Sequence, residues 1–347
     1  MIATAPSDIL RFALDRSDEG LATVLVTLTG IHGTSPRALG AQMAVAADGR
    51  YAGSFSGGCI EAAVVAEAIG TLADGRAKLV RFGAGSPYLD IRLPCGGGID
   101  LLFNAHPDRS AIAHALSRLD RRASAALHLS MDGVQPADAT GEVSPIGWKQ
   151  DRFLLRLAPS LRIVAIGQGE ELTALARLAH AFGADVHALS PDRERLDDLA
   201  RQGIDTTELA TRTALPPTLS DPWTAILFLF HDRDWEEHLL PAALKLPGFY
   251  FGAVGSQRTQ EIRLEALRAA GIPDQLCQLL RTSVGLIPAT RDPATLALSA
   301  LSQIVQEYHR IGDASRAAQE DGTDPLHGDG PANDRERPNW FGASSTK

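Results

Sequence analysis

Along the chain, hydrophobic and polar positions follow two regimes that change over near residue 160. In the first, residues 1–20 read as an opening amphipathic helix, and residues 22–29 (ATVLVTLT) form a continuous run of β-branched and aliphatic side chains. A strand without a polar face is one buried on both sides. After the polar loop of residues 30–38, strands at 42–46 and 50–54 flank Asp48-Gly49, a pair suited to a tight hairpin turn. The second of these strands runs into Ser56-Gly57-Gly58-Cys59, and residues 60–72 follow with good helix formers and few charges. The local order is strand, glycine turn, cysteine, helix. Two more strands are expected at 78–82 and 99–103, separated by a glycine-rich stretch that contains Pro94-Cys95-Gly96-Gly97-Gly98. Residues 106–160 give a helix at 111–123, a strand near 126–130, a polar loop and a strand at 153–157, read as the end of the first domain and a linker.

The second regime is a regular alternation. Strands at 161–166, 185–189, 224–230 and 249–254 are spaced by helices at 171–182, 193–201, 235–245 and 256–270. Such alternation predicts a parallel sheet with right-handed crossovers. A final helix runs from Pro293 to about Arg310, with Asp292 as its N-cap and proline at its first position. From residue 313 the chain is rich in Gly, Asp and Pro and poor in aliphatics, the signature of a disordered tail. The expected fold is α/β: a mixed α+β domain over 1–158 including a linker, a Rossmann-like parallel-sheet domain over 159–312, and a tail over 313–347.

Length and composition narrow the class. At 347 residues with 44% apolar content, the chain can build two cores. Its 33 basic and 42 acidic residues give a formal charge of −9, with no clustered basic run to hold nucleic acid. The longest unbroken apolar run, residues 225–230, falls far short of the roughly twenty residues that span a bilayer. The N-terminus lacks a basic start and an apolar core, so it does not read as a signal peptide. A cytoplasmic protein without membrane contact is expected. Three cysteines, Cys59, Cys95 and Cys277, suit a reducing compartment in which they act as thiols.

Four segments carry candidate chemistry. Gly167-Gln168-Gly169 sits between a strand and a helix, the setting of a phosphate-binding turn. The third glycine of the dinucleotide fingerprint is Leu172, however, and Glu170 and Glu171 put negative charge where a pyrophosphate would lie. These features argue against NAD(P), although Asp192 stands where a ribose hydroxyl would be received or where a helix would simply start. Cys59, at the head of a helix after two glycines, has either a dipole-stabilised thiolate or a small packing role. Cys95 precedes three glycines whose bare amides suit an anion, and the two cysteines lack the spacing of a zinc site. His231-Asp232-Arg233-Asp234, with His238 one turn on, lies at the carboxyl end of a strand, where a metal or proton-transfer role competes with capping by Asp234. Gly255-Ser256-Gln257-Arg258 opens a helix with a capping serine, and Arg258 and Arg263 are either anion readers or ordinary surface groups.

Together, Gly33-Thr-Ser-Pro-Arg37, Gly40-Ala-Gln-Met43, Asp48-Gly49-Arg50 and Ser54-Phe-Ser-Gly-Gly-Cys-Ile-Glu61 resemble the XdhC/CoxI family of xanthine dehydrogenase accessory proteins. The resemblance continues in Cys95-Gly96-Gly97, His231–Asp234, residues 250–259 and residues 294–299, leaving out residues 106–150 and the tail. It implies a chaperone without turnover of its own. Such a protein binds molybdenum cofactor, as molybdopterin or its dinucleotide form, while a cysteine desulfurase or sulfurase installs the terminal sulfido ligand. It then passes the cofactor to a molybdenum hydroxylase apoenzyme; a homodimer is also implied. The cofactor joins an anionic phosphate, a hydrogen-bonding pterin and a sulfur-seeking metal. On that basis the expected cofactor contacts are Ser56, Gly57, Gly58, Cys59, Glu61, Cys95, Gly96, Gly97, Gly167, Gly169, Ser256 and Arg258, with Cys59 and Cys95 nearest the molybdenum. Two readings from other classes stand beside this one: an NAD(P)-dependent oxidoreductase using Gly167, Gly169, Asp192 and His231, and a docking protein that never holds the cofactor.

Overall fold

A computed structural model describes residues 5–58, 60–86, 96–139, 146–281, 283–288 and 290–313. They form two compact units, one within residues 1–159 and the other at Ser160–Asp313.

The first unit begins with α1 (Pro6–Asp18), β1 (Thr23–His32), β2 (Gln42–Ala46) and β3 (Tyr51–Gly53). It continues with α2 (Glu61–Asp74), β4 (Lys78–Gly83), β5 (Gly98–Ala105) and α3 (Arg109–Asp120). Strands β6 (Ala125–Ser130), β7 (Gly133–Ala137), β8 (Gly147–Lys149) and β9 (Arg152–Leu157) complete it. An antiparallel sheet has the order β3-β2-β1-β5-β4. Its middle strand, β1, is buried at every position from Thr23 to Thr29. Alternation explains why: Val24, Val26 and Leu28 face Val64 and Ala68 of α2, while Leu25 joins the layer formed by α1 and α3. Burying each such side chain stabilises by about 1.5–3 kcal/mol, which favours apolar residues on both faces of this strand. Asp48-Gly49 does form the hairpin between β2 and β3, where Asp48 Oδ1 accepts from Arg50 N at 3.0 Å.

A second antiparallel sheet has the order β7-β6-β9-β8. Its Leu127, Phe153 and Leu155 share one core with Ile9, Leu10 and Leu116 of α1 and α3. The stretch read as a domain end and linker is therefore part of a packed layer. Within it, β7 falls on the segment taken as a polar loop, because it is an edge strand with Gln135 and Pro136 exposed.

The second unit runs β10 (Arg162–Gly167), α4 (Gly169–Phe182), β11 (Asp185–Ser190), α5 (Arg193–Arg201), β12 (Asp205–Glu208) and β13 (Thr224–Leu229). A 3-10 turn at Arg233–Trp235 leads to α6 (Glu236–Ala243), β14 (Tyr250–Ala253), α7 (Gln257–Ala269), α8 (Asp274–Cys277), β15 (Leu280–Arg281) and α9 (Pro293–Asp313). All neighbouring strands are parallel, in the order β12-β11-β10-β13-β14-β15. The alternation predicts a parallel sheet, and its strand order is the doubly wound Rossmann one. Core residues of α4, α5 and α9 cover one face of the sheet, and those of α6 and α7 cover the other.

Helix starts follow local chemistry. Asp192 caps α5 by accepting from Arg195 N, and Asp292 accepts from Thr295 N at the head of α9. Asp234 does not cap α6: the 3-10 turn intervenes, and its carboxylate pairs with Arg212 at 3.0 Å. Helix α9 extends to Asp313, and the disordered tail expected after it lies outside the described residues. Among the described residues, no helix is long and apolar enough to cross a membrane.

Candidate functional site

The turn between β3 and α2 is organised by the first residue of the helix. Glu61 is 4% exposed, and its carboxylate bends back into the turn. It accepts from the hydroxyls of Ser54 and Ser56 at 2.7 and 2.8 Å. It also accepts from the amides of Phe55, Ser56, Gly57, Gly58 and Ile60, at 2.8 to 3.2 Å. Gly57 and Gly58 have φ of 79° and 127°, values that turn successive amides inward and that side chains rarely permit. Burial alone would raise the Glu61 pKa, but hydrogen bonds from Ser56 and Ser54 overcome it and bring the group to about 2. The amides of a turn whose residues were expected to contact the cofactor thus hold the protein's own carboxylate.

Register places this turn and the second glycine turn at one end of the sheet. Strands β1, β3 and β4 run the same way, and β5 starts where β1 ends, with Gly98 opposite His32. The turn after β3 and the turn before β5 consequently open in the same direction. Residues 33–41 connect them. Arg37 donates from Nε to Ser54 O at 3.0 Å, while a Cβ on Gly97 would lie 2.2 Å from Thr34 O. Gly97 is there because two backbones touch. Cys59 and Cys95, the residues expected nearest the metal, lie outside the described residues, as do residues 87–94. Gly96 and Gly97 are described and follow Cys95 directly. Cys277 is buried and its thiol approaches Ile272 O at 3.7 Å, a packing role.

Beside Gly97 lies a cluster that the motif reading missed. Arg81 grips Asp100 through Nε and Nη2 at 2.7 and 3.1 Å, and His32 Nε2 is 2.8 Å from both Asp100 and the guanidinium. Burial pushes the Asp100 pKa up, but hydrogen bonds from Arg81 and His32 bring it below the usual carboxylate value. The available signal was three polar residues on otherwise apolar strands. Joining them needs the β4–β5 and β1–β5 registers.

In the second unit, Gly167 and Gly169 serve the fold. A Cβ on Gly167 would lie 2.5 Å from Leu229 O, so this glycine lets β10 and β13 approach. Glu170 pairs with Arg195 at 2.9 Å and Glu171 with His231 at 3.2 Å, so two carboxylates occupy the head of α4. Asp192 is used as a cap and pairs with Arg195 at 3.0 Å. Glu170, Glu171 and Asp192 are thereby each engaged by another part of the unit. His231 is largely exposed, and His238 is exposed on α6. Among the described residues, no group of three His, Cys, Asp or Glu side chains is placed to hold a metal ion.

Ser256 caps α7 by accepting from Thr259 N at 3.2 Å, and Arg258 is exposed on the first turn. Arg263 is not an anion reader. It is 5% exposed, forks onto Glu236 with two 2.7 Å contacts, and donates to Val254 O. A buried guanidinium needs such a partner, and the fork leaves it none to offer a ligand.

A mixed unit built on an antiparallel sheet, joined in sequence to a Rossmann unit with an altered glycine turn, defines the class of protein. The XdhC and CoxI family pattern matches residues 17–83, and the XdhC Rossmann domain pattern matches residues 163–304. The molybdenum cofactor insertion chaperone PaoD of Escherichia coli (strain K12) is 37% identical over 296 residues, 85% of this chain and 86% of its own length. The uncharacterized protein YqeB of the same organism is 22% identical over 306 residues, 86% of this chain and 46% of its own. A solved Bacillus halodurans structure, described as a xanthine dehydrogenase, shares the fold at a TM-score of 0.70 and 21% identity, covering 90% of this chain and 98% of its own. The chain belongs to the XdhC and CoxI family.

Proposed function

We propose that this protein is a cytoplasmic molybdenum cofactor chaperone: it holds the cofactor as cargo and delivers it to a molybdenum hydroxylase apoenzyme. The observation that carries the reading is the 37% identity, over 85% of the chain, to a relative named as a cofactor insertion chaperone. The geometry of the first unit supports it. Two glycine turns open at one end of one sheet, and at Gly97 the backbone is held directly against that of Thr34.

In this reading Cys59 and Cys95 supply sulfur near the metal end, a match of soft donor to molybdenum. Ser56, Gly57, Gly58 and Glu61 hold the first turn in shape, and Gly96 and Gly97 line the second. Arg37 brings positive charge to the same sheet end, where an anionic cargo is favoured, while the charge of Arg81 is met by Asp100. Gly167 and Gly169 contribute by shaping the Rossmann sheet, and Ser256 and Arg258 offer a helix start and a cation to a phosphate. The cargo supplies the redox-active metal to its client; this chain binds, shields and releases it. Sulfuration by a cysteine desulfurase during residence on this chain, the molybdopterin or dinucleotide form of the cargo, and a homodimeric state belong to the same proposal.

Anaerobic incubation of the full chain with molybdenum cofactor, followed by desalting and assay of molybdenum and oxidised pterin, tests the reading. Stoichiometric co-elution is expected, together with its loss in a Cys59→Ala, Cys95→Ala double variant. No retained metal or pterin in the wild type overturns the carrier role; full retention by the double variant overturns the thiol contacts.

A further inference from the structure

At the carboxyl end of β14, a cleft of about 720 Å³ opens between the start of α7 and residues 283–288. Open parallel sheets receive small molecules at the carboxyl ends of their strands. The volume lies within the range of about 300–1,000 Å³ usual for such sites. One wall is α7, where Leu264 stands four residues after Gln260 and three after Glu261, so each of the two shares a side of the helix with it.

The polar part of this wall consists of acceptors. Gln260 is 3% exposed; its Nε2 donates to Ala253 O, and its Oε1 has no hydrogen-bond partner among the described residues. A buried acceptor without a donor is a standing cost that a ligand N–H removes. Glu261 is exposed beside it, with its carboxylate 3.4 Å from Gln257 Nε2. The remaining surface is apolar: Leu264, Val284 and the 44% exposed Ile287 offer faces for a flat ring. Ser256 heads the 13-residue α7, whose start attracts a phosphate.

Adjacent carboxamide and carboxylate oxygens complement a ring edge that carries two kinds of donor, a ring N–H and an exocyclic NH2. We propose that this cleft binds the 2-amino-4-oxopyrimidine edge of a phosphorylated heterocycle, with Gln260 and Glu261 as acceptors. That edge occurs in pterins and in guanine nucleotides. A pterin source deepens the carrier reading and rests on it; a guanine nucleotide source is independent of it.

The test titrates the metal-free full chain by calorimetry with two pairs of probes, pterin against pteridin-4(3H)-one and GMP against IMP. Each pair differs only in the exocyclic amine at position 2. The member bearing the amine is expected to bind at least about tenfold tighter in one or both pairs, the scale of one good hydrogen bond to a charged acceptor. Preference within the pterin pair identifies the cargo as the source, and preference within the GMP pair alone identifies a nucleotide. Glu261→Ala, at an exposed position, and Gln260→Leu are expected each to weaken the preferred probe about tenfold. The melting temperature of Glu261→Ala should stay unchanged. Absence of discrimination in both pairs, or unchanged affinity in Glu261→Ala, overturns the proposal. Retention of molybdenum cofactor without discrimination in either pair overturns this site alone, whereas pterin discrimination without retention overturns the carrier reading alone.

Discussion

The protein contains two glycine turns that each lead into a helix beginning with acidic residues, and they solve different problems. In the Ser54–Gly58 turn the acid, Glu61, folds backward and fills the amide nest. In the Gly167–Gly169 turn the acids, Glu170 and Glu171, pair with the side chains of Arg195 and His231, and Gly167 is needed for strand contact. A glycine pair before a helix is therefore not by itself an anion site. The direction taken by the first carboxylate decides whether the turn is a scaffold held from inside or a junction packed from outside.

Substitutions sharpen this contrast, beginning with the largest effect. Glu61→Gln should lower stability at neutral pH by about 3 kcal/mol, the linkage equivalent of a carboxyl whose pKa falls from 4.5 to about 2 on folding. The sign follows from the depressed folded pKa: this contribution is fully present above pH 4.5 and disappears as pH falls through about 2. Urea melts of wild type and variant should converge over that interval, and a gap independent of pH would mean that the charge is not what holds the turn. Gly167→Ala should cost about 2 kcal/mol by forcing a methyl against the β13 backbone. Thermal melts in which it is neutral would remove the junction reading.

Gly57→Ala should cost about 1 kcal/mol through its left-handed φ alone, since no atom lies near the added methyl. Replacement by Asn, which tolerates that conformation better, should recover part of the loss in the same melts; equal losses would point to a steric cause. Smallest is Glu170→Gln, below about 0.5 kcal/mol because its partnership with Arg195 is exposed. A larger loss, or one insensitive to salt, would show that the second turn also depends on its acid.

Much of this was legible in the chain, for physical reasons that vary by element. The unbroken apolar run at residues 22–29 announced a strand covered on both faces, and β1 is one. The alternation after residue 160 announced the parallel sheet, because buried strands and amphipathic helices have different hydrophobic periods. Strands β7, β12 and β15 did not stand out: the first two are polar, largely exposed segments and the third is only two residues long. Both glycine turns were visible because glycine is a backbone signal. The job of Glu61 was not, since an acid at a helix start looks the same whether it faces solvent or folds inward. The His32–Arg81–Asp100 cluster was also hidden, because two of its contacts join residues 68 and 49 positions apart through strand register. An acid just ahead of a helix looks like a cap, but Asp234 lies within the 3-10 turn and Trp235 holds the cap position of α6.

The inward carboxylate of Glu61 makes the first turn carry its own counter-ion. Its conformation is therefore independent of how much phosphate or chloride surrounds the protein, and ionic strength has little purchase on a charge sealed among amides. A surface that must keep one form in dilute buffer and in a crowded, salty interior has, at this position, no need to borrow an ion from either.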